Sequence, residues 1–298
     1  LAIPGAGPLV TVTRDEHYFA TRDVYAGLPP AAQERSVFLL EPFGRNTAPA
    51  VAIGALWTAK HVGEDVPMIV LAADHLIHDV DAFVAAVERA AAFAVAGRLV
   101  TFGIAPARPE TGYGYLACGA PQDDAHPQVV AVDRFIEKPP RADAEVYATS
   151  GRHLWNAGMF CFTPRAILAA MDEHAPAVAQ AARRAFALLP SDVHQTRLEL
   201  DPVAFDAMPD ISIDYAVMEK ASGVVAVRGA FDWSDVGSWR AVGDLVAPDD
   251  EGNRRHGETV AIGTRDTMIH AEDRVVATVG VRDLVIVDTA DATLVAHR

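Results

Sequence analysis

Cysteine, lysine and long apolar runs are all scarce in this chain of 298 residues. The two cysteines, Cys118 and Cys161, provide neither a disulfide framework nor a CxxC or Cys/His metal spacing, which favours a reducing compartment. No stretch reaches the roughly 18 consecutive apolar residues that span a bilayer, and the opening LAIPGAGPLV lacks the basic start of a secretory signal. We therefore expect a cytoplasmic protein without a membrane partner.

Positive charge is also limited, because 25 Lys and Arg residues face 40 Asp and Glu residues, for a net charge of −15 with histidine neutral. This balance excludes a duplex nucleic-acid partner, which needs basic surface to displace counterions, and it disfavours binding to anionic membranes. A hydrophobic content of 51% is enough for a folded core and excludes a disordered chain. An anionic ligand must therefore be bound locally, by a few cationic side chains, backbone N–H groups or a metal ion.

Apolar runs with β-branched residues alternate with Ala-rich stretches of helical period, which is typical of βαβ units on a mostly parallel sheet. The pattern predicts strands at 9–13, 37–40, 68–73, 99–103, 113–118, 129–136 and 158–162. It predicts helices at 15–26, 47–62, 80–96, 165–174, 176–189 and 213–221. The expected core is a doubly wound α/β domain with α+β material in its second half.

The polar segment 247–258, APDDEGNRRHGE, is the best candidate for a linker. Beyond it, short strands are predicted at 259–262, 274–279, 284–288 and 293–296, separated by turns, so we expect a small all-β unit. The predicted domains are residues 1–246, the linker 247–258 and the β extension 259–298. The extension contains no convincing catalytic constellation, and we expect it to stabilise the protein or to form a homodimer.

Ligands of open α/β sheets lie outside the carboxyl ends of the strands, so polar residues that follow a buried strand are the first candidates. Asp74 directly follows the strand predicted at 68–73. It is either a ligand of Mg²⁺, which takes carboxylates and phosphate oxygens, or the N-cap of the next segment. Asp235, in the run DWSDVGSW, could complete the same metal site. His75 and His78 are three residues apart, but no third ligand at zinc spacing accompanies them, so a zinc site is disfavoured.

The run EPFGRNTAP has the composition of a nucleotide-binding loop between a strand and a helix. Arg45 supplies a cation, and Asn46 or Thr47 can cap the helix that is predicted to follow. Exposed N–H groups at the start of that helix suit phosphate, ribose or base acceptors. An ordinary strand-to-helix loop has the same composition, so both interpretations stay open at this point.

Glycines and polar residues beside other predicted strands suggest a sugar-phosphate site. In the run PETGYGY, the backbone at Gly112 can approach a ligand closely and Tyr113 offers a ring face to a sugar, unless the run is only a flexible hairpin entry. Glu137 and Lys138 follow the strand predicted at 129–136. Adjacent opposite charges suit a phosphosugar, with the carboxylate on hydroxyls and the ammonium on phosphate. Asn156, in the run WNAGMF, adds an amide beside a buried strand.

Seven segments, in the same order, resemble the bacterial mannose-1-phosphate guanylyltransferases of the sugar-phosphate nucleotidyltransferase superfamily. They are EPFGRNTAPA (41–50), LAADHLI (71–77), TFGIAPARPETGYGY (101–115), FIEKPP (135–140), WNAGMF (155–160), SIDYAVMEK (212–220) and DWSDVGSW (232–239). The set is highly specific, whereas any one segment would not be. The resemblance implies a Rossmann-like, doubly wound mixed sheet followed by a small C-terminal β-helix-like extension.

The resemblance also implies an activity and roles for individual residues. GTP and mannose 1-phosphate would give GDP-mannose and pyrophosphate, with Mg²⁺ as the cofactor. The implied catalytic residues are Asp74, Asp235 and Lys138, with Mg²⁺ on Asp74 and Asp235. The implied nucleotide-binding residues are Arg45, Asn46, Thr47 and Asp74. The implied sugar-phosphate-binding residues are Gly112, Tyr113, Glu137, Lys138 and Asn156.

The first strand of this family and its glycine-rich phosphate loop are not found in the sequence, so we expect a family member whose N-terminal segment is missing from the chain. The sugar-isomerase domain of the long family members is not found either. Two alternatives stay open. One is a catalytically silent homologue that binds a sugar nucleotide or regulates a partner. The other is a thymidylyl- or uridylyltransferase for another hexose 1-phosphate, although the runs GRNTAPA and DYAVMEK weigh against it.

Overall fold

The computed structural model describes residues 3–190 and 196–298, so the first two residues of the opening segment lie outside the described residues. The chain falls into two compact units. The first, the α/β unit, comprises Leu1–Ala72 and Asp79–Asp232, and the second, the β unit, comprises Ala73–His78 and Trp233–Arg298. The sequence-based domain boundaries at 246 and 259 divide the chain differently, and they remain a prediction.

The α/β unit alternates strands with helices along most of its length. Its strands are β1 (Leu9–Arg14), β2 (Ser36–Glu41), β3 (Met68–Val70), β4 (Val100–Ile104), β5 (Tyr115–Pro121), β6 (Val129–Ile136), β7 (His153–Phe162), β8 (Arg197–Glu199) and β9 (Val225–Gly229). Its helices are α1 (Tyr18–Tyr25), α2 (Pro30–Gln33), α3 (Thr47–His61), α4 (Val80–Val95), α5 (Arg141–Thr149), α6 (Pro164–His174), α7 (Pro176–Ala187) and α8 (Pro202–Asp206). A 3₁₀ turn (Asp15–His17) precedes α1, and a π-helical turn (Asp214–Met218) precedes β9.

The strands of the α/β unit form two sheets. The smaller sheet is parallel, in the order β1–β2–β8. The larger sheet has the order β3–β7–β4–β9–β6–β5; β4 and β9 are parallel, and the other neighbouring pairs are antiparallel. The mixed α/β class is confirmed, but the prediction of a mostly parallel sheet is wrong for the larger one. The reasons are the ten-residue strand β7, which runs antiparallel to β3, β4 and β5, and strand β6, which runs antiparallel to β5 and β9.

The core of the α/β unit forms around α3, which is apolar on nearly every side and packs against β1, α6 and α7. Its residues Ile53 and Ala55 are fully buried. The facing helix α7 contributes small buried residues such as Ala182 and Ala185, which let the two helices approach closely. This packing anchors the start of α3, where the EPFGRN loop ends.

The β unit is a stack of short parallel strands, the arrangement of a β-helix, that follows helix α9 (Trp239–Asp244). Its strands are β10 (Arg254–His256), β11 (Thr259–Ile262), β12 (Met268–Ala271), β13 (Val276–Val279), β14 (Leu284–Asp288) and β15 (Thr293–His297). The ladders β10–β12–β14 and β11–β13 are parallel, and β15 pairs antiparallel with β14. At the corner after β10, a Cβ on Gly257 would lie 1.8 Å from the carbonyl oxygen of Ala271, so only glycine fits there.

Some elements differ from their predicted bounds. The strand predicted at 68–73 ends at Val70, and the strand predicted at 158–162 begins at His153, which places Asn156 inside β7. Strand β10 lies within the segment predicted as a linker. The elements that were not predicted are α2, α5, α8, β8, β9, β10 and β12. Within residues 3–190 and 196–298, no helix combines the length and the apolar character needed to cross a bilayer.

Candidate active site

Asn156 lies in the middle of β7, and only 9% of the residue is exposed. Thr101 on β4 donates its hydroxyl proton to Asn156 Oδ1 at 2.8 Å, and Asn156 Nδ2 donates to Asp214 Oδ1 at 3.1 Å. The register between β4 and β7 shifts between Thr101 and Gly103, an irregularity of the kind that re-aims side chains next to functional sites. Each Asn amide carries two N–H groups, so one N–H of Asn156 remains for a ligand.

Glu137 and Lys138 follow β6 directly. Lys138 Nζ lies 3.8 Å from Glu137 Oε1, and its side chain is 63% exposed, whereas that of Glu137 is largely covered. Burial raises the pKa of the Glu137 carboxyl and Asp214 adds to this effect, while Lys138 lowers it. The backbone of Lys138 has φ +46°, a left-handed conformation that disfavours residues with a Cβ. The pair therefore presents an exposed ammonium next to a largely buried carboxyl group.

Gly114 makes room for the Glu137 side chain. A Cβ on Gly114 would lie 2.6 Å from Glu137 Oε2, so any larger residue would displace that carboxylate. The carbonyl oxygen of Gly114 accepts the backbone N–H of Asn156 at 2.8 Å. The small size of glycine made this run a candidate site in the sequence. The structure shows why residue 114 must be small, because the Glu137 carboxylate lies against it.

Gly112 and Tyr113, the other predicted residues of the same run, make different contacts. Gly112 donates its backbone N–H to Glu110 Oε1 at 3.2 Å, so its carbonyl oxygen is the backbone group that remains for a ligand. The ring of Tyr113 packs edge-on against Trp155, with the ring centroids 5.2 Å apart. Because Trp155 precedes Asn156 on β7, the run PETGYGY lies along the same part of the larger sheet as the Asn156 amide.

Asp214, which was not among the predicted site residues, faces this cluster from the π-helical turn. Burial raises the pKa of its carboxyl, whereas its own backbone N–H, Asn156 and Lys138 oppose the rise. Glu219 adds a further acidic group, and its pKa is raised by burial and by Asp214. The only sequence signal for Asp214 was its place in the family-like run SIDYAVMEK. Folding therefore gathers a cation, an amide and three carboxyl groups into one cluster.

The first N–H groups of α3, which follow the EPFGRN loop, already donate hydrogen bonds within the protein. Asn46 is the N-cap of α3, and its Oδ1 accepts the N–H of Thr47 at 3.0 Å. The N–H of Ala48 donates to the carbonyl oxygen of Ile211 at 3.1 Å. Thr47 Oγ1 accepts the backbone N–H of Ile213 at 2.8 Å. The expectation of exposed N–H donors is therefore wrong for Thr47 and Ala48, because a cap and a neighbouring segment satisfy them.

Arg45 is the cation of the same loop and is held by α8. Its guanidinium donates to Asp206 Oδ1 at 2.9 Å and lies 4.9 Å from the ring centroid of Phe43. Its Nε is buried and has no hydrogen-bond partner within the described part of the chain. A nucleotide phosphate would have to compete with the exposed carboxylate of Asp206 for this side chain.

Glu41, at the end of β2, is a buried carboxyl group that the sequence analysis did not single out. It is 6% exposed, and its Oε1 has no hydrogen-bond partner among the described residues. Arg14, its register partner at the end of β1, lowers its pKa. Burial is the stronger effect and raises the pKa of Glu41 to about 7. This part of the smaller sheet therefore changes its charge between acidic and neutral pH.

The two aspartates predicted to bind Mg²⁺, Asp74 and Asp235, both lie in the β unit. Leu76 and Ser234 exchange backbone hydrogen bonds of 2.9 and 3.0 Å in an antiparallel bridge, which joins the segment 73–78 to the run DWSDVGSW. Burial lowers the pKa of His75, while Asp74 and Asp235 both raise it. The bridge therefore brings both carboxylates within electrostatic reach of the same imidazole.

The donor set of these two aspartates fits Mg²⁺, which binds one or two carboxylates and completes its shell with phosphate oxygens and water. Asp235 Oδ1 accepts the N–H of Gly237 at 3.2 Å, and a Cβ on Gly237 would lie 2.6 Å from Asp235 Oδ2. The alternative role of Asp74, as an N-cap, belongs instead to Asp79, whose side chain accepts the N–H of Ala82 at 3.0 Å. Within residues 3–190 and 196–298, no group of three or more His, Cys, Asp or Glu side chains is arranged to hold a metal ion.

Backbone strain occurs in three of the loops that carry predicted site residues. Asn46 (φ 66°), Lys138 (φ 46°) and Val236 (φ 50°) adopt positive φ angles without being glycine. Val236, next to Asp235, is the least expected, because β-branched residues rarely adopt this conformation. Strain of this kind costs about 1–3 kcal/mol per residue and concentrates at functional sites. The amino-acid composition of these loops does not reveal their positive φ angles.

Two family models match the chain. The nucleotidyl transferase family matches residues 9–251, and the MannoseP isomerase/GMP-like beta-helix domain matches residues 257–298. The chain belongs to the nucleotidyl transferase family. The first match contains every predicted site residue, and the second covers strands β11 to β15. The expected α/β fold with a β-helix-like extension is confirmed.

Individual relatives agree with this assignment. The chain is 42% identical over 291 residues to the mannose-1-phosphate guanylyltransferase of Escherichia coli strain K12, covering 97% of this chain and 60% of that protein. It is 42% identical over 289 residues to the xanthan biosynthesis protein XanB of Xanthomonas campestris pv. campestris strain B100, covering 97% of this chain and 59% of that protein. The predicted resemblance to the bacterial mannose-1-phosphate guanylyltransferases is confirmed. The chain spans about 60% of the length of these curated relatives.

Two solved structures are also similar. A crystal structure described as mannose-1-phosphate geranyltransferase from Thermus thermophilus has a TM-score of 0.80 and 33% identity, covering 97% of this chain and 79% of that one. A crystal structure described as mannose-6-phosphate isomerase from Helicobacter pylori has a TM-score of 0.68 and 30% identity, covering 77% of this chain and 86% of that one. Both similarities extend over most of the described fold.

Proposed function

We propose that this chain transfers GMP from GTP to mannose 1-phosphate, giving GDP-mannose and pyrophosphate. The observation that carries the proposal is the cluster of Glu137, Lys138, Asn156 and Gly114 within a nucleotidyl transferase fold. This cluster offers a phosphorylated sugar a carboxyl group, an ammonium and an amide in one region. The choice of GTP and mannose 1-phosphate follows the relatives that are named mannose-1-phosphate guanylyltransferase.

Each residue of the cluster has a role that suits its chemistry. The carboxyl group of Glu137 accepts sugar hydroxyls, and the remaining N–H of Asn156 donates to a hydroxyl oxygen. The exposed ammonium of Lys138 neutralises the phosphate. The carbonyl oxygen of Gly112 accepts a further hydroxyl, because the N–H of that residue already binds Glu110. The ring of Tyr113 offers an apolar face to the sugar.

The reaction depends on positioning and charge neutralisation. A phosphate oxygen of mannose 1-phosphate is ionised at neutral pH and attacks the α-phosphorus of GTP in line with the leaving group. The new P–O bond forms as the bond from the α-phosphorus to the bridging oxygen of the β-phosphate breaks, and pyrophosphate leaves with that electron pair. No proton has to be removed from the nucleophile, so no general base is needed.

Asp74 and Asp235 are the residues that would hold Mg²⁺, since their hard oxygen donors fit that ion. When bound, the ion neutralises negative charge on the polyphosphate. Arg45 supplies a cation to the nucleotide phosphates, and binding them breaks its ion pair with Asp206. Asn46 and Thr47 shape the loop that meets the nucleotide, and their own side chains hold the start of α3.

Pyrophosphate release by the natural protein tests the proposal. We expect release when GTP, mannose 1-phosphate and Mg²⁺ are all present, and none when one of them is omitted. Replacing GTP by UTP or dTTP, or the sugar phosphate by glucose 1-phosphate, tests the alternative selectivities. Binding of GDP-mannose without any release of pyrophosphate would contradict the proposal and favour a silent homologue. The predicted homodimer is tested by measuring the sedimentation of the same protein. The cytoplasmic location stays a prediction.

Replacing Lys138 by methionine is expected to raise the KM for mannose 1-phosphate and to lower kcat/KM by about 10–100-fold, the value of a hydrogen bond to a charged group. Methionine keeps the length of the side chain but removes the ammonium that would bind the sugar phosphate. Initial rates of pyrophosphate release at saturating GTP, with mannose 1-phosphate varied, measure this effect.

Two further variants separate the charge of Lys138 from its backbone conformation. Lys138→Gly also removes the ammonium, but glycine suits a positive φ, so this variant should melt no earlier than wild type while being as slow as Lys138→Met. Lys60→Met removes an exposed ammonium from α3 and should leave the kinetics unchanged. Unchanged kinetics in Lys138→Met would remove Lys138 from the proposed site.

A further inference from the structure

A buried chain of hydrogen bonds joins Thr101, Asn156 and Asp214, which lie on β4, β7 and the π-helical turn. The Thr101 hydroxyl is 2.8 Å from Asn156 Oδ1, and Asn156 Nδ2 is 3.1 Å from Asp214 Oδ1. The same hydroxyl lies 3.2 Å from the carbonyl oxygen of Met159. Thr101 is fully buried, so solvent does not replace these partners. The three side chains therefore constrain one another.

Thr101 by itself permits both orientations of the Asn156 amide. With Oδ1 towards Thr101, the hydroxyl donates its proton to Oδ1. With the amide flipped, Nδ2 would donate to the hydroxyl, which would then give its own proton to the carbonyl oxygen of Met159. Both arrangements satisfy the threonine, so this end of the chain does not select one of them.

When its carboxyl is ionised, Asp214 permits only one orientation. An ionised carboxylate has acceptors and no donor, so it pairs with Nδ2 and repels Oδ1 of the flipped amide. We propose that Asp214 is a positioning residue, whose carboxylate turns the Asn156 amide so that an N–H, and not the amide oxygen, is presented to a hydroxyl of the sugar phosphate. The inference rests on the proposed function and deepens it, because it names the residue that determines how Asn156 contacts the sugar.

The surroundings of Asp214 support this role. Lys138 and Glu137, the groups proposed to bind the same ligand, interact electrostatically with the Asp214 carboxyl. The backbone on either side of Asp214 is anchored independently, because the N–H of Ile213 donates to Thr47 Oγ1 and the N–H of Ala216 donates to the carbonyl oxygen of Ser212. Removing the carboxylate is therefore expected to free the Asn156 amide without releasing the π-helical turn.

The test combines Asp214→Ala with Asn156→Ala in a double-mutant cycle. We expect Asp214→Ala to raise the KM for mannose 1-phosphate by about tenfold, the value of one lost oriented hydrogen bond, and to leave the KM for GTP unchanged. In the Asn156→Ala background, the same change should have almost no further effect, since the amide it orients is gone. Asp214→Asn offers both an acceptor and a donor to Asn156, so it keeps a hydrogen bond without selecting one orientation and should lie between wild type and Asp214→Ala. Thr101→Val, which breaks the other end of the chain, should have a smaller effect than Asp214→Ala.

Other outcomes would overturn the inference. Additive losses in the cycle, or equal rises in the KM for GTP and for mannose 1-phosphate, would mean that Asp214 only supports the fold. If Asp214→Ala does not fold, Asp214→Ser replaces it, because serine is polar but too short to reach Asn156. If wild type releases no pyrophosphate, the proposed function fails separately, and calorimetric binding of mannose 1-phosphate to the same variants decides the inference. Absence of that binding to wild type would overturn both.

Discussion

Replacing Asp235 by alanine is expected to lower kcat by about 10²–10³-fold, the effect of removing one charge-stabilising group from a reacting centre, while the melting temperature changes little. The hydrogen bond that Asp235 accepts from the N–H of Gly237 is worth about 1 kcal/mol, which is small beside the expected loss of activity. Asp74→Ala should behave in the same way. If both carboxylates hold one ion, the double variant should be little worse than either single variant. Pyrophosphate release as a function of Mg²⁺ concentration, with thermal unfolding in parallel, measures both effects.

The control for this prediction is Asp250→Ala, which removes an exposed aspartate from the same unit. It should keep both the activity and the Mg²⁺ dependence of wild type. A melting temperature of Asp235→Ala that falls in step with its activity would show that the aspartate is structural. Variants that keep wild-type turnover and Mg²⁺ dependence would exclude Asp74 and Asp235 as ligands.

The hydrophobic periodicity of the sequence predicts those strands and helices whose pattern of buried and exposed residues lies within one continuous segment. Strands β6, β11 and β14 have the predicted bounds, and α3 and α4 end within one residue of theirs. The helix starts are marked by the N-caps Asn46 and Asp79. Pairing between distant strands was not predictable in the same way. Strand β9 lies between β4 and β6, parallel to the first and antiparallel to the second, and no local pattern contains that information.

The residues of the candidate site also fall into two groups. A local sequence pattern indicates the first group, and only the fold brings the second group together. Glu137 and Lys138 could be proposed from the sequence because two adjacent residues of opposite charge follow a predicted strand, and their role stays a prediction. Thr101 and Asp214 were not, because they lie 55 and 58 positions from Asn156, and only the packing of β4, β7 and the π-helical turn makes them neighbours. The left-handed backbone of Val236 was equally hidden, since valine is common in extended segments and gives no sign of such a turn.

Replacing Glu41 by glutamine is expected to stabilise the protein at neutral and alkaline pH. Burial raises the pKa of this carboxyl from 4.5 to about 7, so between these values the folded protein keeps a proton that the unfolded chain has released. The free energy of unfolding therefore falls as the pH rises through this window, by about 3 kcal/mol in total. Glutamine stays neutral at every pH. The variant should gain most of that amount at about pH 8 and little at about pH 4.5, where the folded protein keeps the carboxyl protonated and only about half of the unfolded chains have released that proton.

Urea unfolding of wild type and Glu41→Gln across this pH range measures the gain. Glu34→Gln makes the same substitution at an exposed position of the α/β unit and controls for net charge. Arg14→Met removes the cation that lowers the pKa of Glu41, so its loss of stability should continue to higher pH than in wild type. Stability curves of wild type and Glu41→Gln that stay parallel between pH 4.5 and 7 would contradict the prediction. They would mean that the folded protein holds Glu41 ionised throughout, which requires a cation or donor closer to its carboxylate than Arg14.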